Sequence, residues 1–266
     1  AVIDTLVVDA GLCREVDVLH ISGEVYAVVY RGPGDDGWMA TFTVSAAGVI
    51  SNAVTDTLEF DTTSGFGPVI IKVAGTIYAV AYCQLTANAI TVATVDIQTD
   101  GTIASAVTDK AKVATGAGSF SSGDNIRIVK IGGNTYAVVY TGAGNDGFLT
   151  TFSITDAGIV GAVIQDLEFD TTQATHPEIA KVGGDLYLIG YSGPDNDGFL
   201  ATVSITTAGV ISPVLYSLEF DTLEGGTPSL AAIPSTNSGF VVAYVQSTIG
   251  RFVTVLVSRA YSFGSL

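Results

Sequence analysis

Five runs of small and β-branched residues, each closed by a tyrosine, recur along the chain at nearly constant spacing. They are Tyr26-Ala27-Val28-Val29-Tyr30, Tyr78-Ala79-Val80-Ala81-Tyr82, Tyr136-Ala137-Val138-Val139-Tyr140, Tyr187-Leu188-Ile189-Gly190-Tyr191 and Phe240-Val241-Val242-Ala243-Tyr244. Their final tyrosines lie 52, 58, 51 and 53 positions apart. Such a period restricts a chain to stacked or radially repeated units, because one unit cannot bury its own apolar faces. A glycine turn precedes each run, and another β-rich segment precedes the turn. Three copies continue almost identically, through Asp35-Asp36-Gly37-Trp38, Asn145-Asp146-Gly147-Phe148 and Asp195-Asn196-Asp197-Gly198-Phe199. They end in Leu-Glu-Phe-Asp-Thr at 58–62, 167–171 and 218–222. The second copy lacks both motifs.

Each unit therefore reads as four short strands separated by Gly, Asn, Asp or Pro turns. No segment keeps a 3.6-residue apolar period, so helix content near zero is expected. The tyrosine-ended strands are apolar on both faces, which a sheet covered on one side does not require. Sheets packed between copies of themselves account for it. On this repeat the chain resembles the five-bladed β-propellers over its whole length, and the resemblance implies an all-β fold of four-stranded antiparallel blades. The expected blades are residues 11–63, 64–115, 116–171, 172–222 and 223–266, the last completed by residues 1–10. Residues 1–9 align with residues 53–61, so the N-terminal segment is expected to supply the fourth strand of the last blade and close its edge. The Trp-Asp signature of WD40 repeats is missing, and the glycines do not sit as in kelch repeats.

Charge narrows the partners. Acids outnumber bases 26 to 10, a formal charge of −16. That excludes a phosphate-directed nucleic-acid binder and an anionic membrane surface. No apolar run reaches the roughly 18 residues that span a bilayer. Few lysines among many threonines, serines and glycines point to a secreted or cell-surface protein. Two cysteines, Cys13 and Cys83, are too few for a disulfide framework and are expected to be free thiols.

The Asp-Gly loops admit two readings. Asp35, Asp36, Asn145, Asp146, Asp195 and Asp197 could offer hard oxygen ligands to Ca²⁺. They also suit turns, because Asp and Asn tolerate the left-handed region and bond their own backbone. Beside them, Trp38, Phe148 and Phe199 recur after each Asp-Gly, and Asp61, Asp170 and Asp221 recur at the end of the fourth strand. These six are the candidate binding residues of the loop-rich end. Strand alternation puts Glu59 and Asp61 on one solvated face and Leu58 and Phe60 on the other.

Catalysis has sparser material. A carboxylate pair for glycoside cleavage should break the repeat symmetry, and the unpaired acids near the first strands are Asp17, Asp124 and Glu178. Only His20 and His176 carry imidazole, and no Gly-x-Ser-x-Gly, phosphate loop or paired Cys/His motif is present. The expectation is thus a non-catalytic propeller that binds protein or glycan at a surface, or assembles with copies of itself. A multivalent lectin-like protein and a five-bladed glycoside hydrolase are the alternatives.

Overall fold

A computed structural model describes residues 2–115, 126–236, 238–257 and, for the backbone alone, 263–264. The chain is an all-β, five-bladed β-propeller, built of five four-stranded antiparallel sheets. The first sheet holds β1 (Arg14–Ser22), β2 (Val25–Arg31), β3 (Gly37–Thr43) and β4 (Asp56–Asp61). The second holds β5 (Phe66–Ala74), β6 (Ile77–Gln84), β7 (Ala89–Asp96) and β8 (Asp109–Thr115). The third holds β9 (Ile126–Gly132), β10 (Thr135–Thr141), β11 (Gly147–Ile154) and β12 (Val160–Asp170). The fourth holds β13 (Thr175–Gly183), β14 (Leu186–Ser192), β15 (Gly198–Ser204) and β16 (Tyr216–Asp221). The fifth holds β17 (Gly226–Ala232), β18 (Gly239–Gln246), β19 (Ile249–Val257) and β20 (Phe263–Gly264). Among the described residues the only helical pieces are four three-residue 3₁₀ turns.

Two compact units divide the chain, residues 1–123 with 154–162 and residues 124–153 with 163–266. In the first, Val29, Met39 and Phe60 pack against Ile70, Tyr78, Val80 and Tyr82 of the second sheet. In the second, Val139, Leu149 and Phe169 meet Tyr187, Ile189 and Tyr191, and Leu188 and Leu200 meet Phe240, Val242 and Val255. The first four tyrosine-ended strands are thus buried on both faces, and β18 on one, with Val241 and Ala243 half-buried on the other. Each fully buried large side chain contributes on the order of 1.5–3 kcal/mol.

Polar links repeat in register between successive sheets. Thr41, Thr94 and Thr151 donate their hydroxyls to the carbonyls of Gly101, Gly158 and Gly209 at 2.6, 2.6 and 2.7 Å. Asp56 and Asp109 accept the amides of Ile103 and Val160 at 2.9 and 2.8 Å. The hydroxyls sit on buried strands, so within each unit these bonds satisfy loop carbonyls without exposing backbone.

The N-terminal segment departs from the expectation. The fourth strand of the last sheet is β20, paired at Leu256 and Val257, and residues 2–13 form no strand. Side chains rather than a backbone ladder hold this segment in the first unit. Asp4 accepts the Ile50 amide at 2.9 Å, as Asp56 accepts that of Ile103. Asp9 receives the Tyr30 hydroxyl at 3.4 Å, and Val8 packs on Val28, Tyr30 and Ala40. The alignment with residues 53–61 survives as chemistry, without the strand.

The two motifs of the full copies turn out to be one device. The register between β3 and β4 slips so that Gly37 faces Asp61 while Trp38 faces Glu59, a β-bulge at Phe60. The Phe60 ring then lies on Gly37, where a Cβ would fall inside the ring. Phe169 lies in the same way on Gly147, and Phe220 on Gly198. The second copy has Ile90 at this position and Val113 in place of the phenylalanine. Gly37→Ala is expected to lower unfolding stability by about 1–3 kcal/mol through overpacking. Gly183→Ala, which meets nothing within 4 Å, should stay within about 0.5 kcal/mol. Equal denaturant midpoints for the two variants would show that the ring does not need the glycine.

Candidate active site

The first strands of four sheets open on a kink. Between β1 and β2 the register shifts from Arg14 to Asp17, and the same shift recurs at Phe66/Val69, Thr175/Glu178 and Gly226/Ser229. The second residue of the strand is left-handed in each case: Glu15 at φ 53°, Gly67 at 55°, His176 at 53° and Thr227 at 45°. For a β-branched residue such as Thr227 this is a strained conformation, and strain of this kind collects at functional positions. Pro68, Pro177 and Pro228 follow three of them and stiffen the kink.

At the position of the first strand that faces the residue before the closing tyrosine, the side chains differ from sheet to sheet. Asp17, Val69, Arg127, Glu178 and Ser229 stand opposite Val29, Ala81, Val139, Gly190 and Ala243, each one residue before the closing tyrosine of its run. A position that is equivalent in backbone yet carries five different side chains is where the fold's symmetry is broken.

In the second unit this position builds a recess. Arg127, His176, Glu178, Thr227, Pro228 and Ser229 line a cavity of about 220 Å³. Arg127 Nε donates to Glu178 Oε1 at 2.9 Å, and its Nη1 donates to the carbonyl of Ile126 at 2.8 Å. The ion pair is partly open, with side-chain exposures of 37% and 19%. A guanidinium, a carboxylate, an imidazole and two hydroxyl-bearing side chains therefore share one small hollow. Glu178 and His176 are the acid–base side chains of the hollow.

The corresponding acids of the first unit are occupied by backbone. Asp17 accepts the amides of Ile70 at 2.9 Å and Val18 at 3.0 Å. Glu15 accepts the Gly67 amide at 2.9 Å and the Arg31 guanidinium at 2.9 Å. Both acids join the first sheet to the second. His20 bonds the Gly23 carbonyl at 2.8 Å and packs on Tyr26, a local structural role. Asp124 lies outside the described residues. Arg127, Thr227 and Ser229 were not singled out from the sequence, although aligning the five first strands residue by residue shows the varied position.

The loop-rich candidates are packed into the fold. Trp38, Phe148 and Phe199 are half-buried, lying on Gly32, Gly142 and Gly193, and the two phenylalanines stack on Tyr140 and Tyr191 at 5.5 and 5.7 Å. Asp61 is not on a solvated face. The bulge at Phe60 turns it inward to 2% exposure, where Tyr82 donates to it at 2.7 Å. Asp170 and Asp221 receive Tyr191 and Tyr244 at 3.0 and 2.8 Å.

The Asp-Gly loops are turns in which Asp35, Asn145, Asp195 and Asn196 adopt positive φ. Asp35 is also paired with Arg31 at 2.6 Å. Asp36 and Asp197 face Glu59 and Glu219. Slight desolvation and then the bond and charge from these neighbours hold both glutamates above the usual carboxyl range. Among the described residues no group of three or more His, Cys, Asp or Glu could hold a metal ion. Cys13 is exposed, Cys83 is buried and both are free, burial pushing the Cys83 thiol up to about 12.

No protein-family model matches the chain, and none of the curated proteins matches it. Similar solved structures include a candidate 6-phosphogluconolactonase from Bacteroides fragilis, at TM-score 0.51 and 11% identity over 94% of this chain and 82% of that one. A GH43 β-1,3-galactosidase matches at TM-score 0.52 and 11% identity, over 91% of this chain and 56% of its own. The NanB sialidase of Streptococcus pneumoniae matches at TM-score 0.58 and 10% identity, over 85% and 36%. This chain thus spans only about a third of that sialidase. Likeness at these identities establishes the β-propeller fold. The matched proteins are enzymes, and this overturns the expectation of a non-catalytic chain devoted to binding or assembly.

Proposed function

We propose that the chain is a carbohydrate-directed hydrolase of the glycoside-hydrolase type, acting at the recess of Arg127, His176, Glu178, Thr227 and Ser229. One observation carries the reading. The repeat position that varies in all five sheets places an ion-paired carboxylate in a hollow, beside an imidazole and hydroxyls.

Glycoside cleavage needs one group to activate water or attack the sugar, and another to protonate the leaving oxygen. Glu178, held against a guanidinium, is suited to accept a proton. It takes one from water as the water oxygen bonds to the sugar carbon. His176 gives a proton to the departing oxygen as the old carbon–oxygen bond breaks. Arg127 fixes the carboxylate's direction, and the Thr227 and Ser229 hydroxyls are placed to bond sugar hydroxyls. The kinks set these groups on strands rather than on mobile loops, which favours a fixed geometry.

Sparse lysine and an abundance of threonine and serine support placement outside the cell or at its surface. Among the described residues no helix is long and apolar enough to cross a membrane.

A panel of nitrophenyl glycosides and sugar lactones tests the activity. Wild type is expected to turn over at least one of them, and Ser229→Trp, at an exposed position that fills the recess, to abolish that turnover with unchanged melting. Binding without turnover across the panel, or turnover indifferent to Ser229→Trp, would contradict the proposal.

A further inference from the structure

We infer that the recess selects uncharged sugars and rejects acidic ones; this rests on the hydrolase reading and specifies its substrate class. The formal charges lining the recess are those of Arg127 and Glu178, which neutralise each other at 2.9 Å. Arg127 and Glu178 thus bring no net charge to the hollow. The remaining lining is Thr227, Ser229 and Pro228. Two of the guanidinium's nitrogens are already engaged, Nε by Glu178 and Nη1 by the Ile126 carbonyl.

An acidic sugar could reach the remaining N–H groups of Arg127 only by setting its carboxylate beside that of Glu178. That would leave two carboxylates in one hollow with a single cation, and an uncompensated charge in a recess is costly. Neutral hydroxyls behave differently. They accept from the guanidinium and donate to the carboxylate while the ion pair stays intact, and the Thr and Ser hydroxyls serve in either direction. The field of the whole protein acts in the same sense. At a formal charge of −16 the chain lowers the local concentration of anions and slows their arrival. Size sets a further limit. A hollow of about 220 Å³ lies below the roughly 300–1,000 Å³ of pockets for drug-sized ligands, so it takes one sugar ring.

The test uses neutral hexoses and the uronic acids that match them ring for ring: galactose with galacturonate, glucose with glucuronate and mannose with mannuronate. Binding to the full chain is followed by saturation-transfer NMR at pH 8, where an ordinary imidazole is neutral. For at least one pair the neutral member should bind roughly tenfold more tightly than the acid, and Glu178→Gln should shrink or reverse that ratio by leaving the Arg127 charge uncompensated. Ser229→Trp should remove both. A preference for the acid in wild type, or a ratio unmoved by Glu178→Gln, overturns the inference, as does failure of every hexose to bind. The two readings fail separately. Neutral preference without cleavage of any glycoside removes the hydrolase reading and leaves the selectivity standing. Cleavage with acidic preference removes the selectivity alone.

Discussion

Glu178→Gln is expected to lower kcat by about 10²–10⁴-fold, the usual contribution of a positioned acid–base group. The amide keeps the shape of the side chain and leaves an oxygen for Arg127, so the recess stays formed. It cannot take a proton from water. Stability should hardly change, because the ion pair is partly exposed and such pairs contribute about 0–1 kcal/mol. The dissociation is what distinguishes chemistry from scaffolding. A variant that keeps kcat within about threefold of wild type, or that loses activity only in step with its melting temperature, would remove Glu178 from the reaction.

Asp61→Ala should produce the largest loss of stability, about 3–5 kcal/mol. For a chain of this size that is a fall of roughly 10 °C in melting temperature. One carboxylate oxygen accepts from the Thr63 amide at 2.9 Å, the Thr63 hydroxyl at 2.7 Å and the Ser64 amide at 3.1 Å. The other accepts from the Tyr82 hydroxyl at 2.7 Å and from Lys110 at 3.3 Å. Truncation leaves the Tyr82 hydroxyl and the Ser64 amide, both on buried residues, without their acceptor. Asp221→Ala, at a more exposed equivalent, should cost less.

The same network predicts an acid response. Burial alone would raise the Asp61 carboxyl, but the bonds from Thr63, Tyr82 and Ser64 outweigh it and hold the group below its usual value. Asp170 is lowered in the same way, through Thr172, Gln173 and Tyr191. A carboxyl lowered on folding adds stability that is complete above the unfolded value, near 3.9, and is lost as pH falls through the folded one. Wild type should therefore lose stability steeply below about pH 4, and Asp61→Asn less so. Identical pH profiles below that point would show that Asp61 carries no such linkage.

The repeat made the fold readable, because the spacing of the tyrosines and the two apolar faces of each run leave few other architectures. The Leu-Glu-Phe-Asp-Thr segment was misread for a local reason. Simple alternation separates Phe60 from Asp61, whereas the bulge opposite Gly37 buries both. The signal was the co-occurrence of Asp-Gly and Leu-Glu-Phe-Asp in the same copies. The N-terminal segment was aligned correctly by its acids, yet alignment fixes side-chain chemistry and not a backbone ladder. At the recess, Glu178 and His176 could be noticed as residue types. Arg127 and Ser229 become visible only by comparing one position across the five first strands, since neither residue is unusual alone.

The place where a sugar binds decides the account most directly. A crystal structure of the full chain carrying Glu178→Gln, grown with the neutral monosaccharide that binds best, should show the ring within hydrogen-bond reach of Arg127, His176 and Ser229. A sugar seated instead on the Asp-Gly loops beside Trp38, Phe148 or Phe199, with the recess holding only solvent, would contradict it.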